Sequence, residues 1–196
     1  MKKLLILLLF LPVISVSQDF TINPYLQNAS PNSITIMWEH SNWDVSFVEW
    51  GSTNTLGNID STTFEITSYP SCLFTAKLTG LQSNTKYYYK VTTGNSVSSI
   101  FDFYTPSNSE YEKSIKMIVM SDMQTDSNNP KKFTEIINNG IIDYLQNNYE
   151  GNVNENLDMI LIPGDLVSTG TNYLHWKDEF FAQSEPLFST VPFYPV

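Results

Sequence analysis

The stretch KMIVMSDMQTD, residues 116–126, decides how this chain folds. An apolar run, Ile118 to Met120, stops at Ser121-Asp122, and Gln124 follows two residues later. A second run, DMILIPGDL at 158–166, ends the same way on Asp165. Short apolar runs closed by turn residues have the pattern of buried strands. Between them, from Pro130, PKKFTEIINNGIIDYLQNNY carries Phe133, Ile136, Ile137, Ile141 and Leu145 near helical spacing. Asn129 is expected to cap that helix, with Pro130 in its first turn. The Asn-rich segment 147–156 reads as a loop. TNYLHWKDEFFAQSEPLF (171–188) is a second helix, with Leu174, Phe180, Phe181 and Leu187 apolar, and VPFYPV (191–196) opens a third strand. Strand, helix, strand, helix, strand is an α/β unit with a parallel sheet.

In open parallel sheets, ligands bind beyond the carboxyl ends of the strands. Asp122 and Asp165 both stand there. If their strands are neighbours, both carboxylates enter one crevice. Two close carboxylates repel and raise one pKa. A divalent or trivalent cation removes that conflict. Hard oxygen ligands suit Mn, Mg or Fe, and an imidazole would add Zn or Fe. Gly164 allows a sharp turn before Asp165. Taken singly, Ser121-Asp122 and Gly164-Asp165 are also ordinary turn dipeptides, so both a metal site and a pair of plain turns fit. Two other phosphate chemistries fail on the residues. A haloacid-dehalogenase nucleophile needs Asp-x-Asp, but position 124 is Gln. A response-regulator receiver would want its later aspartate where Pro163 stands, and receivers are not exported.

The residues before this unit read differently. Residues 1–17, MKKLLILLLFLPVISVS, join a basic start to an apolar stretch, Leu4 to Val16, with small residues at the cleavage positions. This is a secretory signal. A membrane span needs about 20 apolar residues, and Pro12 interrupts this run, so no span is expected. The chain is expected to be secreted, periplasmic or extracellular. Losing Lys2 and Lys3 takes the formal charge from −10 to −12. Such a surface repels nucleic acid backbones, which makes nucleic acid an unsuitable structural partner. Cys72 is the single cysteine, so no internal disulfide can form.

Residues 18–106 are expected to form one β-domain. SITIMWEH (33–40) alternates, with Ile34, Ile36 and Trp38 on one face. VSFVEWG (45–51), SCLFTAKL (71–78), KYYYKVTT (86–93) and SIFDFYT (99–105) follow, punctuated by Gly, Asn, Ser and Pro. Short β-branched and aromatic runs of this kind argue for a β-sandwich. Residues 107–114 form a linker, and 115–196 hold the α/β unit. His40 is expected at the surface of the β-domain, and His175 is expected to be a structural helix residue. Trp38, Trp43, Trp50 and Tyr88 could line a carbohydrate surface, although such aromatics more often form core.

With both halves in view, the chain resembles a purple acid phosphatase-like member of the calcineurin-like metallophosphoesterases. NPYLQNASPNSITIMWEH resembles the opening of that family's N-terminal fibronectin-III-like domain. LTGLQSNTKYYYKV (78–91) resembles its signature, with Tyr87 as the tyrosine-corner residue. VMSDMQ matches the first metal motif and LIPGDLV the Gly-Asp motif. FFAQSEPLFSTVPFYPV resembles the segment that leads into the Gly-Asn-His-Glu/Asp motif.

The resemblance implies a fold and a chemistry. The fold is α+β with two domains, a fibronectin-III-like β-sandwich and the first βαβαβ part of a metallophosphoesterase α/β sandwich. The chain is then read as an N-terminal fragment. The implied centre is dinuclear, its pair drawn from Fe, Mn or Zn, with Asp122 on the first metal and Asp165 bridging. Metals about 3.5–4 Å apart clamp a phosphoryl group and activate water. The substrate would be a small phosphate ester. Ser168 stands where purple enzymes carry a tyrosine, so the phenolate donor is missing. Gln124 stands where other metallophosphoesterases carry His, and its carbonyl oxygen is expected to ligate instead. Further Asn and His ligands are expected beyond Val196, so these residues alone are expected to hydrolyse little or nothing. A non-catalytic binding or adhesion protein that keeps the fold is the alternative.

Overall fold

The computed structural model describes residues 20–68, 70–109 and 114–196. The expected signal, residues 1–17, lies outside the described residues, as does much of the expected linker. The strands of the first half are β1 (Phe20–Ser30), β2 (Ser33–His40), β3 (Ser46–Gly51), β4 (Asn58–Ser61), β5 (Thr63–Ser68), β6 (Ser71–Thr79), β7 (Lys86–Thr93), β8 (Ser96–Val97) and β9 (Phe101–Tyr104). They build two antiparallel sheets. One runs β1-β2-β6-β5 and the other β4-β3-β7-β8, with β9 also paired to β7. The alternation read in 33–40 is real, because Ile34, Ile36 and Trp38 all point inward and are fully buried. Opposite them lie Val48, Tyr89, Val91 and Phe103 in the same core. Trp38 also satisfies its indole N–H by donating to Thr93 Oγ1 at 3.0 Å, as a buried Trp must.

Tyr87 forms the corner expected of it. Its hydroxyl accepts the backbone N–H of Gln82 at 3.0 Å, five residues upstream, which ties the loop before β7 to the sandwich. One expectation for this half fails. His40 is 4% exposed, not a surface residue. Its ring nitrogens lie 2.8 Å from Asn42 O and 3.2 Å from Ser96 Oγ, so burial costs it no hydrogen bonding. Of the four aromatics, Trp38 is core, as such residues more often are, while Trp43 is 62% exposed.

The second half contains β10 (Met117–Val119), β11 (Met159–Ile162) and β12 (Phe193–Pro195), paired in parallel in the order β10-β11-β12. Helix α1 (132–148) crosses from β10 to β11, followed by the short α2 (Val153–Asn156). Helix α3 (173–188) crosses from β11 to β12. Both long helices widen into π turns at their middles, Ile136–Ile142 and Trp176–Phe181. On α1 the buried side chains are Phe133, Ile137, Ile141 and Leu145, one stripe at a spacing of four. Ile136 and Leu174, also read as apolar helix positions, fall off the stripe and are exposed. The helices meet over the sheet, with Phe133 stacked on Phe180 at 5.9 Å and Phe188 on Phe193 at 4.1 Å.

Asn129 is not the cap of α1. The helix starts after Lys131, which makes no side-chain cap bond. Asn129 instead closes a turn on Asp126, donating its side-chain N–H to Asp126 Oδ2 at 3.0 Å. A cap needs its oxygen free to accept from the next turn, and this side chain faces backward.

The halves share a core through β1. Its pairing with β2 slips between Ile22 and Tyr25, so that an extra residue is accommodated at Asn23-Pro24. A bulge turns the strand about its axis, and a proline without an N–H is tolerated there. Ile22 and Tyr25, at an odd spacing, therefore both face the second half, while Leu26 faces the sandwich interior. Tyr25 packs on Phe181 at 4.8 Å and Phe193 at 5.7 Å. Polar bonds add to this. Tyr89 donates to Ser189 O at 2.7 Å, and Tyr173 donates to the buried Glu39 at 2.9 Å.

Candidate metal centre

β10 and β11 are adjacent and parallel, so their carboxyl ends open on the same side. The last rung past β10 is Met120 N–H to Leu161 O, 3.1 Å. Beyond it the chain leaves the sheet at Asp122, and beyond β11 it leaves at Asp165. Both aspartates adopt positive φ, +60° and +48°, and Gly164 precedes the second at +143°. A non-glycine residue in this region is uncommon and carries strain. Here it occurs at matching positions of two neighbouring strands. The loops are bonded to each other, because Met123 N–H donates to Asp165 O at 3.1 Å. The Met123 side chain is buried in the core below, which anchors the first loop.

Asp122 and Asp165 are both exposed at the surface. Ser121 Oγ donates to Asp122 Oδ2. Gln124, on the first of these loops, is half-buried, and its amide oxygen Oε1 has no hydrogen-bond partner. A buried acceptor without a partner is costly, and a cation would satisfy it. Asp122, Gln124 and Asp165 are all hard oxygen donors, which fits Mn or Fe better than a soft metal. Among the described residues, no group of three His, Cys, Asp or Glu lies together.

Ser168 bonds to other partners. Its N–H donates to Glu179 Oε2 at 2.8 Å, and its hydroxyl reaches Thr125 O at 3.5 Å. His175 sits one helical turn before Glu179, with Nδ1 3.6 Å from Glu179 Oε1. Burial raises the Glu179 carboxyl, but hydrogen bonds from Ser168 and Thr125 and the nearby His175 outweigh it and hold the group below the ordinary carboxylate range. The sequence reading missed Glu179. Its only signal there is the i, i+4 relation to His175 on a helix, which does not point to a loop outside the helix.

The fold is a two-part chain in which a β-sandwich precedes an α/β unit with a parallel sheet. Residues 20–105 match the family model of the purple acid phosphatase N-terminal domain. Among solved structures, PhoD superposes with a TM-score of 0.62 at 13% identity, covering 95% of this chain and 40% of PhoD. That likeness is one of fold, and this chain spans well under half of PhoD's length. The sensor domain of the anti-sigma factor RsgI4 from Pseudobacteroides cellulosolvens is also similar, at 19% identity and a TM-score of 0.37, over 48% of this chain and 100% of that one. A comparison with curated proteins finds no match.

Proposed function

We propose that this chain is the front part of an exported, metal-dependent phosphoesterase that hydrolyses small phosphate esters. The observation that carries the reading is the pair Asp122 and Asp165. They lie at the ends of adjacent parallel strands, on loops bonded to one another, each with strained backbone. The purple acid phosphatase N-terminal domain and the PhoD-like fold support it.

The roles follow from the donor set. Asp122 and Asp165 would hold the ions through their carboxylates, and the Gln124 side-chain amide oxygen would supply a further oxygen donor where an imidazole or phenolate is expected in relatives. Fe, Mn and Zn all remain open as the pair. Bound ions would polarise the phosphoryl group and lower the pKa of a water. Asp122 and Asp165 would offset the charge of the ions, and their bonded loops would hold the donors with little reorganisation. The remaining ligands would come from outside these residues, so the chain by itself is expected to release little phosphate from a simple monoester.

Titration of Mn(II) into the purified chain tests this by calorimetry. Binding that disappears in the Asp122→Asn, Asp165→Asn double variant is the expected result. Equal binding by that variant would overturn the metal reading and favour a binding protein that keeps the fold without chemistry.

A further inference from the structure

We propose that Glu179 is a positioning residue that clamps the two aspartate loops together, and that through them it sets the affinity for metal. The second part rests on the phosphoesterase reading above. The clamp itself does not.

Glu179 projects from α3, an element that carries neither aspartate. Its side chain is 15% exposed, too buried for an idle surface carboxylate. A charge held in that setting needs partners, and the partners it has are the loops. Ser168 N–H donates to Oε2 at 2.8 Å, a short, charge-assisted bond. The Thr125 backbone also helps hold this carboxylate below its ordinary range. The two amides occupy equivalent places, since Thr125 is three residues past Asp122 and Ser168 three past Asp165. Ser168 Oγ reaches Thr125 O at 3.5 Å, and Met123 N–H bonds Asp165 O at 3.1 Å. One side chain on a helix thus joins a ring of contacts that spans both loops. His175 Nδ1 lies 3.6 Å from Oε1, beyond hydrogen-bond distance.

A ring of this kind offsets the strain of the two positive-φ aspartates. Without Glu179 the Ser168 amide loses its acceptor, and the loop after Asp165 is free to relax away from Asp122. Donors that must converge on an ion lose affinity when their outer partners are removed, by about 10–100-fold.

The experiment compares wild type, Glu179→Ala, Glu179→Gln and the Asp122→Asn, Asp165→Asn double variant. Two readouts are used: amide hydrogen exchange at Thr125 and Ser168, and Mn(II) affinity. Glu179→Ala is expected to speed exchange at both amides, leave Ile160 and Ile162 protected, and weaken Mn(II) binding about 10–100-fold. Glu179→Gln keeps the shape and one acceptor oxygen, so it is expected to fall between Glu179→Ala and wild type on both readouts. It also serves should Glu179→Ala not fold. The double variant is expected to lose metal while keeping both amides protected. Wild-type exchange at Thr125 and Ser168 in the Glu179 variants would overturn the clamp. Faster exchange with unchanged Mn(II) affinity would overturn its link to metal. Mn(II) binding that survives in the double variant would sink the phosphoesterase reading instead, and the exchange data would still decide the clamp.

Discussion

The two halves of this molecule close their cores in different ways. In the sandwich, each sheet buries its inner face against the other, and Trp38, Phe74, Tyr89 and Phe103 lie fully inside. In the α/β half, one sheet face is covered by α1, α3 and the bulged end of β1. The opposite face, among the described residues, leaves Met117 at 48% and Val119 at 59% exposed. Parallel strands normally need cover on both faces. The α/β half therefore depends on a neighbour for its core in a way the sandwich does not. The sandwich keeps a private interior and lends β1 to the other half.

That contrast can be broken or sharpened by mutation. Trp38→Ala empties the centre of the sandwich and removes the bond to Thr93. It should cost about 3–5 kcal/mol in denaturant unfolding. If the halves are coupled through β1, both should melt together. Separate transitions would show that the shared core contributes little.

Tyr89→Phe tests the link more gently. It removes the hydroxyl that donates to Ser189 O at the junction and leaves a buried carbonyl unpaired. The expected loss is about 1–3 kcal/mol. No loss in the same unfolding measurement would mean that water replaces the bond.

A third measurement uses pH. Burial pushes the Tyr89 hydroxyl well above its ordinary value, with Glu185 and Asp102 adding to the effect. Burial and then Glu39 push up Tyr25 likewise. A raised folded pKa means that the unfolded chain gives up its proton first. The stability these tyrosines contribute is therefore full below about pH 10, where free tyrosine titrates, and is lost as pH rises beyond it. Unfolding curves at stepped alkaline pH, with tyrosinate absorbance followed in parallel, should show that fall. Two tyrosines that ionise at the ordinary pH with no loss of stability would contradict the buried junction.

The smallest effect is expected on the uncovered sheet face. Val119→Thr should change stability by less than about 0.5 kcal/mol, as surface substitutions do. A loss of several kcal/mol would show that something packs on that face.

Much of this was legible in the residues. The strand-to-aspartate breaks at Asp122 and Asp165, the stripe on α1 and the inward alternation of β2 are periodic signals. Each is written within a dozen residues, where backbone geometry alone sets which side chains share a face. Tyr87 was legible for a related reason, since its partner Gln82 is only five residues away. The ends of the helices were less so. Asn129 carried a capping residue's chemistry, but the nearby Asp126 competed for it.

What tertiary structure alone decided is contact at long range. His40 has the composition of a surface residue in its segment, yet Ser96, far along the chain, gives it a buried partner. The direction of Ile22 and Tyr25 depends on a bulge set by the register with β2, which no single-strand pattern contains. The role of Glu179 depends on α3 crossing behind both loops, which brings one carboxylate to Ser168 and Thr125. Local sequence determines periodicity and turns because those are short-range steric and hydrogen-bonding preferences. The bonding of the Asp122 loop to the Asp165 loop, and of Ser168 to Glu179, required the packed sheet, because only packing sets distance between residues far apart in the chain.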